Sequence, residues 1–122
     1  MPGHTPGTIS MLFEFMDNGR PIRVAYSGGT AISFTDPDPA YYDRYIASAR
    51  KFAAAAAAYG ATALMSNHTE FDNAYFRAHT ADNRYAINVR NPYLVGQRAV
   101  LNYMGVVELC AMAAKLRATG SL

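Results

Sequence analysis

A single cysteine, Cys110, is all the chain contains, so no intramolecular disulfide framework can staple it. Tryptophan is absent, and only 16% of residues are charged. Net charge is +2, and the 11 Lys and Arg residues are scattered, which excludes a nucleic-acid footprint. No apolar run reaches about 18 residues, so no membrane span is expected. The N-terminus has no charged region followed by an apolar stretch, so no signal peptide is expected; the compartment stays open. Several catalytic motifs are also missing. There is no H-x-H, H-E-x-x-H or C-x-x-C, and no G-x-S-x-G elbow. Ser27-Gly28-Gly29-Thr30 lacks the lysine and glycine spacing of a phosphate loop and reads as a turn. What is present suffices for a packed core: 51% of 122 residues are apolar, which predicts one domain over 1–122.

The pattern along the chain predicts a mixed α/β (α+β) fold. Thr8 to Phe15 alternates, with Ile9, Met11, Phe13 and Phe15 on one face and Leu12 as the exception, which predicts a half-buried strand. Asp17-Asn18-Gly19 is a turn signal, and Pro21 to Tyr26 forms the returning strand of a hairpin. Asp38 is the expected N-cap of a helix with Pro39 at its first position. Tyr42, Tyr45, Ile46, Ala49 and Ala53 follow at helical spacing, with Tyr41 and Tyr59 read as packing too. The run Ala53 to Ala58 is expected to serve close helix packing, and Gly60 to end the helix. Ala61 to Ser66 reads as a short buried strand, and Glu70 to Ala78 as one or two helical turns. Thr80 to Val89 reads as a loop or irregular strand. A long helix follows Asn91-Pro92 and Val95. Its stripe of Val100, Tyr103, Met104, Val107, Ala111 and Ala114 is widened by Leu101, Val106, Leu109 and Met112, which predicts cover on more than one side. Cys110 falls inside it as a core residue, and Gly120 to Leu122 as a frayed end. Helices are expected over one sheet face, and nothing in the pattern covers the other.

Three histidines remain: His4, His68 and His79. His4 stands just before a strand and His68 just after one, where scaffolds present functional groups. Imidazole is the commonest metal ligand near neutral pH. His79 is expected to be solvent-exposed near a helix end. A catalytic zinc takes about three protein ligands plus a water. His4 and His68 make two. Asp36 and Asp38 are explained as turn and cap residues, which leaves Asp72 as a further carboxylate. The chain by itself therefore does not support a complete catalytic metal site.

Pro2-Gly3-His4-Thr5-Pro6-Gly7-Thr8-Ile9-Ser10 leads into a strand. The Asn18-Gly19-Arg20-Pro21 turn, Val24-Ala25-Tyr26 and the later Leu64-Met65-Ser66-Asn67-His68 follow. Together these resemble the C-terminal half of a metallo-β-lactamase-fold hydrolase, nearest to the third subclass of metallo-β-lactamases. The resemblance spans essentially the whole chain. It implies one half of a four-layer αββα sandwich whose other half covers the open sheet face. It implies two zinc ions, with His4 completing the ligands of the first and His68 those of the second. The remaining ligands come from an H-x-H-x-D-H segment that these 122 residues do not contain. The implied reaction is hydrolysis of a β-lactam, lactone or ester by a metal-bound hydroxide, with a small molecule as substrate. The partner is the half carrying H-x-H-x-D-H, and the isolated segment is expected to be inactive. Where many relatives place an Asp or Cys ligand after the second strand, this chain has Gly28-Gly29; the third subclass also lacks a ligand there and uses the His of D-H instead.

A second reading stands beside it. The chain could be a non-catalytic α/β module that forms a homodimer through its open sheet face, with no nucleic acid or membrane as partner. The apolar face of the first strand and the widely apolar last helix motivate it.

Overall fold

The computed structural model describes residues 1–86 and 88–121. Ile87, within the segment expected to be irregular, and Leu122, in the expected frayed end, lie outside the described residues. The fold is α+β. Strands β1 (Met11–Asp17), β2 (Arg20–Ser27) and β3 (Ala63–Ser66) form one sheet in that order. The helices are α1 (Pro39–Tyr59), α2 (Thr69–Asp72), α3 (Ala74–Asn83) and α4 (Gln97–Thr119). β1 and β2 are an antiparallel hairpin, while β2 and β3 run parallel, with α1 as the crossover that a parallel pair requires. Asn18 (φ 51°) and Gly19 (φ 76°) are both left-handed at the hairpin tip, as a tight two-residue turn demands.

The expected caps of α1 are in place. Asp38 accepts a hydrogen bond from the Ala40 amide, Pro39 opens the helix, and Gly60 ends it at φ 71°. Tyr42, Tyr45, Ile46, Ala49, Phe52 and Ala56 face inward. Of the alanine run only Ala53 and Ala56 join the core cluster, while Ala54, Ala55 and Ala58 are exposed. Helix propensity, more than close packing, accounts for them. α4 meets α1 along Val100, Met104, Val107, Ala111 and Ala114, the stripe expected from the 3–4 spacing. Ala25 and Leu64 of the sheet close the same core. The ion pairs Arg50–Glu108 (2.7 Å) and Lys115–Asp43 (2.8 Å) flank that helix pair. By length and composition α4 could cross a membrane. Here its inner stripe is spent on α1 and the sheet.

Four further expectations change. The core face of β1 is that of Leu12, which packs under the helices, and not that of Met11 and Phe13. In register, Leu12 pairs with Ala25 and Phe13 with Val24, so the alternating apolar set points to the second sheet face. Tyr93 and Leu94 cover that face only where Phe15, Ile22, Val24 and Met65 lie. Met11 and Phe13 stay 48% and 37% exposed, and Ile9, ahead of the strand, 71%. On α4, Val106 and Leu109 are exposed, so cover is confined to one stripe. Cys110 is exposed as well, because it lies beside Val106 and Leu109 and off that stripe. Finally, α3 runs on to Asn83, further than the turns expected up to Ala78.

Candidate metal-ligand pair

Strand register decides which residues meet. Met11 at the start of β1 pairs with Tyr26 near the end of β2, and Ser27 pairs with Ser66 at the end of β3. The segment before β1, the loop after β2 and the turn after β3 therefore emerge at one sheet edge. His4 belongs to the first and His68 to the third. Their rings meet edge to face, with centroids 5.8 Å apart and planes at 86°. Both histidines are half-buried. His79 is exposed on α3.

The loop bearing His4 is internally tied. Thr5 receives the Thr8 amide (3.3 Å) on its carbonyl, and its own amide donates to Thr8 Oγ1 (3.0 Å). Gly28-Gly29 provides the floor. A Cβ on Gly28 would lie 1.7 Å from the Ile9 carbonyl oxygen, and one on Gly29 2.7 Å from the Thr8 methyl and 3.2 Å from His4 Cβ. The two glycines are the space into which the histidine loop packs. Gly28 also donates its amide to Ser10 Oγ (3.0 Å).

His4 Nδ1 lies 2.7 Å from the carbonyl oxygen of Ala31. A carbonyl only accepts, so Nδ1 carries the proton and Nε2 of the neutral ring keeps its lone pair. This is the arrangement by which a ligating histidine is oriented. The Ala31 segment is itself pinned from below: the Tyr45 hydroxyl donates to the carbonyls of Gly29 (2.5 Å) and Thr30 (2.8 Å). Burial pushes the Tyr45 phenol well above its ordinary value, so it stays a donor.

His68 is held through backbone. Its amide donates to Ser66 Oγ (3.2 Å), the Asn67 amide to the Ser27 carbonyl (3.1 Å), and the Ser66 amide to Asp72 Oδ2 (2.8 Å). Asp72 is 3% exposed, and its Oδ1 has no hydrogen-bond partner among the described residues. Glu70 Oε1 stands 3.6 Å from His68 Nδ1, beyond hydrogen-bond distance. On its other side Phe71 packs edge-on at 5.8 Å between centroids. The two histidine supports share one residue. Buried Thr30 contacts Ser66 Oγ (2.8 Å), Ser27 Oγ (3.3 Å) and the Tyr103 hydroxyl (3.1 Å) through Oγ1, while the next residue, Ala31, orients His4. Burial also raises the Tyr103 phenol above its ordinary value.

Two imidazoles this close can each serve one ion of a pair separated by about 3.5–4 Å, the spacing of two-metal sites. Among the described residues no group of three His, Cys, Asp or Glu side chains is placed to hold a metal. His4 and His68 are two donors, and a catalytic zinc takes about three protein ligands plus a water. Sequence reading reached the two histidines and Asp72. The Ala31 carbonyl, the Tyr45 hydroxyl and Thr30 carry no motif, and only the fold reveals them. No family model matches the chain, and no curated protein or solved structure matches it.

Proposed function

We propose that this chain is the C-terminal half of a zinc-dependent hydrolase of the metallo-β-lactamase fold, contributing His4 and His68 as one ligand to each of two ions. The observation that carries this reading is the convergence of the two histidines at one sheet edge, with His4 Nδ1 on the Ala31 carbonyl and Nε2 left to bind. Zinc, when bound, supplies Lewis acidity toward a carbonyl and activates a water at neutral pH. The chain's own part is positional. Ala31 holds the tautomer and orientation of His4. Ser66 and Asp72 fix the turn that carries His68. The remaining ligands come from a segment bearing H-x-H-x-D-H, and the apolar face around Met11 and Phe13 is where such a half would pack. The substrate class is an ester, lactone or lactam. The test is reconstitution with a polypeptide bearing H-x-H-x-D-H, followed by zinc content and hydrolysis of β-lactam and lactone substrates. His4→Ala and His68→Ala should each lower both; unchanged zinc content and turnover in the two variants would refute the assignment.

The exposed sheet face favours a second reading of the chain alone. Ile9, Met11 and Phe13 form an apolar edge that a second copy could cover. Sedimentation decides it: a concentration-independent monomer removes the homodimer.

A further inference from the structure

A second feature adjoins the histidine pair. A cavity of about 200 Å³ opens between the loop after β2 and the outer side of α4. Phe34 and Ile32 form one wall, Val106 and Cys110 another, and Phe71 closes the end nearest His68. Its two polar groups are the Thr30 and Tyr103 hydroxyls, which already satisfy each other. Ala31, whose carbonyl orients His4, also lines it. The cavity is therefore contiguous with both histidines through residues that touch them directly.

We infer that this cavity binds a short acyl or aryl arm of the substrate, whose scissile carbonyl extends from it toward His4 and His68. The size fits: an apolar cavity of about 150 Å³ holds a benzene ring, so this one takes a ring or a chain of about six carbons. The chemistry fits as well, because no charged side chain lines it and the Thr30 and Tyr103 hydroxyls are already hydrogen-bonded. The wall residues are unusually apolar for their exposure: Phe34 is 48%, Phe71 46% and Val106 58% exposed. Occupation of the cavity would remove that surface from water. The direction of the arm rests on the hydrolase reading; the affinity of the cavity for an apolar group does not.

The single cysteine reports occupancy, since Cys110 lines the cavity and is exposed. Its modification by a chromogenic disulfide is timed on the full chain with increasing butanamide or hexanamide. Each buried methylene is worth about fourfold in affinity, so hexanamide should half-protect Cys110 at about fifteenfold lower concentration than butanamide. Val106→Asp, at an exposed position, should abolish protection with the circular dichroism spectrum unchanged. Absent protection, or equal protection by the two amides in the unsubstituted chain, overturns the inference. So does protection that persists in a folded Val106→Asp. If that variant does not fold, the chain-length dependence decides. Zinc content on reconstitution is measured separately. Protection without zinc uptake sinks the hydrolase reading and leaves the apolar site standing. Zinc uptake without protection does the reverse.

Discussion

Replacing Tyr45 by phenylalanine removes one oxygen atom and tests the foundation of the histidine pair. Tyr45 is 1% exposed, and its hydroxyl donates to two carbonyls, those of Gly29 and Thr30. Phenylalanine retains the ring packing against Ile46, Ala49 and Val107. The loss is therefore a hydrogen bond and the donor of two interior acceptors. Leaving buried acceptors without their donor costs about 1–3 kcal/mol. At about 2.1 cal/mol/K of unfolding entropy per residue, a loss of 2 kcal/mol over 122 residues lowers Tm by about 8 °C. Tyr42→Phe is the control. Tyr42 is as buried, but its hydroxyl meets only the Asp36 carbonyl, at 3.1 Å near the helix start, so about 1 kcal/mol is expected. Urea and thermal unfolding followed by circular dichroism supply both values. Nitrogen-15 NMR of the imidazoles supplies the second readout: as the Gly29–Ala31 segment loosens, His4 should shift toward a mixture of tautomers. A Tyr45→Phe protein within about 0.5 kcal/mol of the parent, with His4 unmoved, would refute the idea that Tyr45 holds the carbonyl that orients His4.

Gly28→Ala should cost about 3 kcal/mol or more in urea unfolding, because its methyl meets the Ile9 carbonyl; Gly19→Ala, at positive φ with open space around it, should cost only about 1–2 kcal/mol. Thr30→Val should destabilise by about 1–3 kcal/mol and move the NMR signals of both histidines, whereas a change confined to one would show that Thr30 does not couple them. Hydrogen bonds from Arg84 and Asn91 hold the Asp17 carboxyl down to about 2, below its ordinary 3.8. The unfolded chain therefore binds the proton first, and the Tm advantage over Asp17→Asn should be full at neutral pH and close as pH falls from about 4 to about 2. Tyr45 has the opposite sign: its raised phenol contributes stability below pH 10 that is lost above it, and that alkaline loss should be smaller in Tyr45→Phe.

Local signals were legible wherever local chemistry decides the structure. The Asn18-Gly19 turn, the Asp38-Pro39 start and Gly60 end of α1, and the stripe of α4 all follow from backbone preference and 3.6-residue spacing. What period alone cannot settle is which of two faces a strand buries. Met11, Phe13 and Phe15 form the stronger apolar set, yet Leu12 enters the core because the hairpin register places it beside Ala25 and α1 returns over that side. The same limit applies to α4. Cys110 and Leu109 look internal by composition, and only the position of α1 shows that they face away. At the site, His4 and His68 could be named from their positions at strand ends. Their meeting could not, because it depends on the pairings Met11–Tyr26 and Ser27–Ser66 across the whole sheet.

Those pairings divide the sheet into two ends with different duties. At the hairpin tip, Asp17 is clamped by Arg84 and Asn91, which ties the segment after α3 to β1. Beside it, Asn18 donates to the Tyr85 hydroxyl (2.8 Å). At the opposite edge the balance reverses. The backbone is fixed by Tyr45, Thr30, Ser66 and Asp72, all buried, while the two imidazoles above them remain half-exposed. Rigid support beneath side chains that keep an unused lone pair is what a ligand-binding position requires. Because Thr30 joins both supports, displacement of one histidine should be felt by the other.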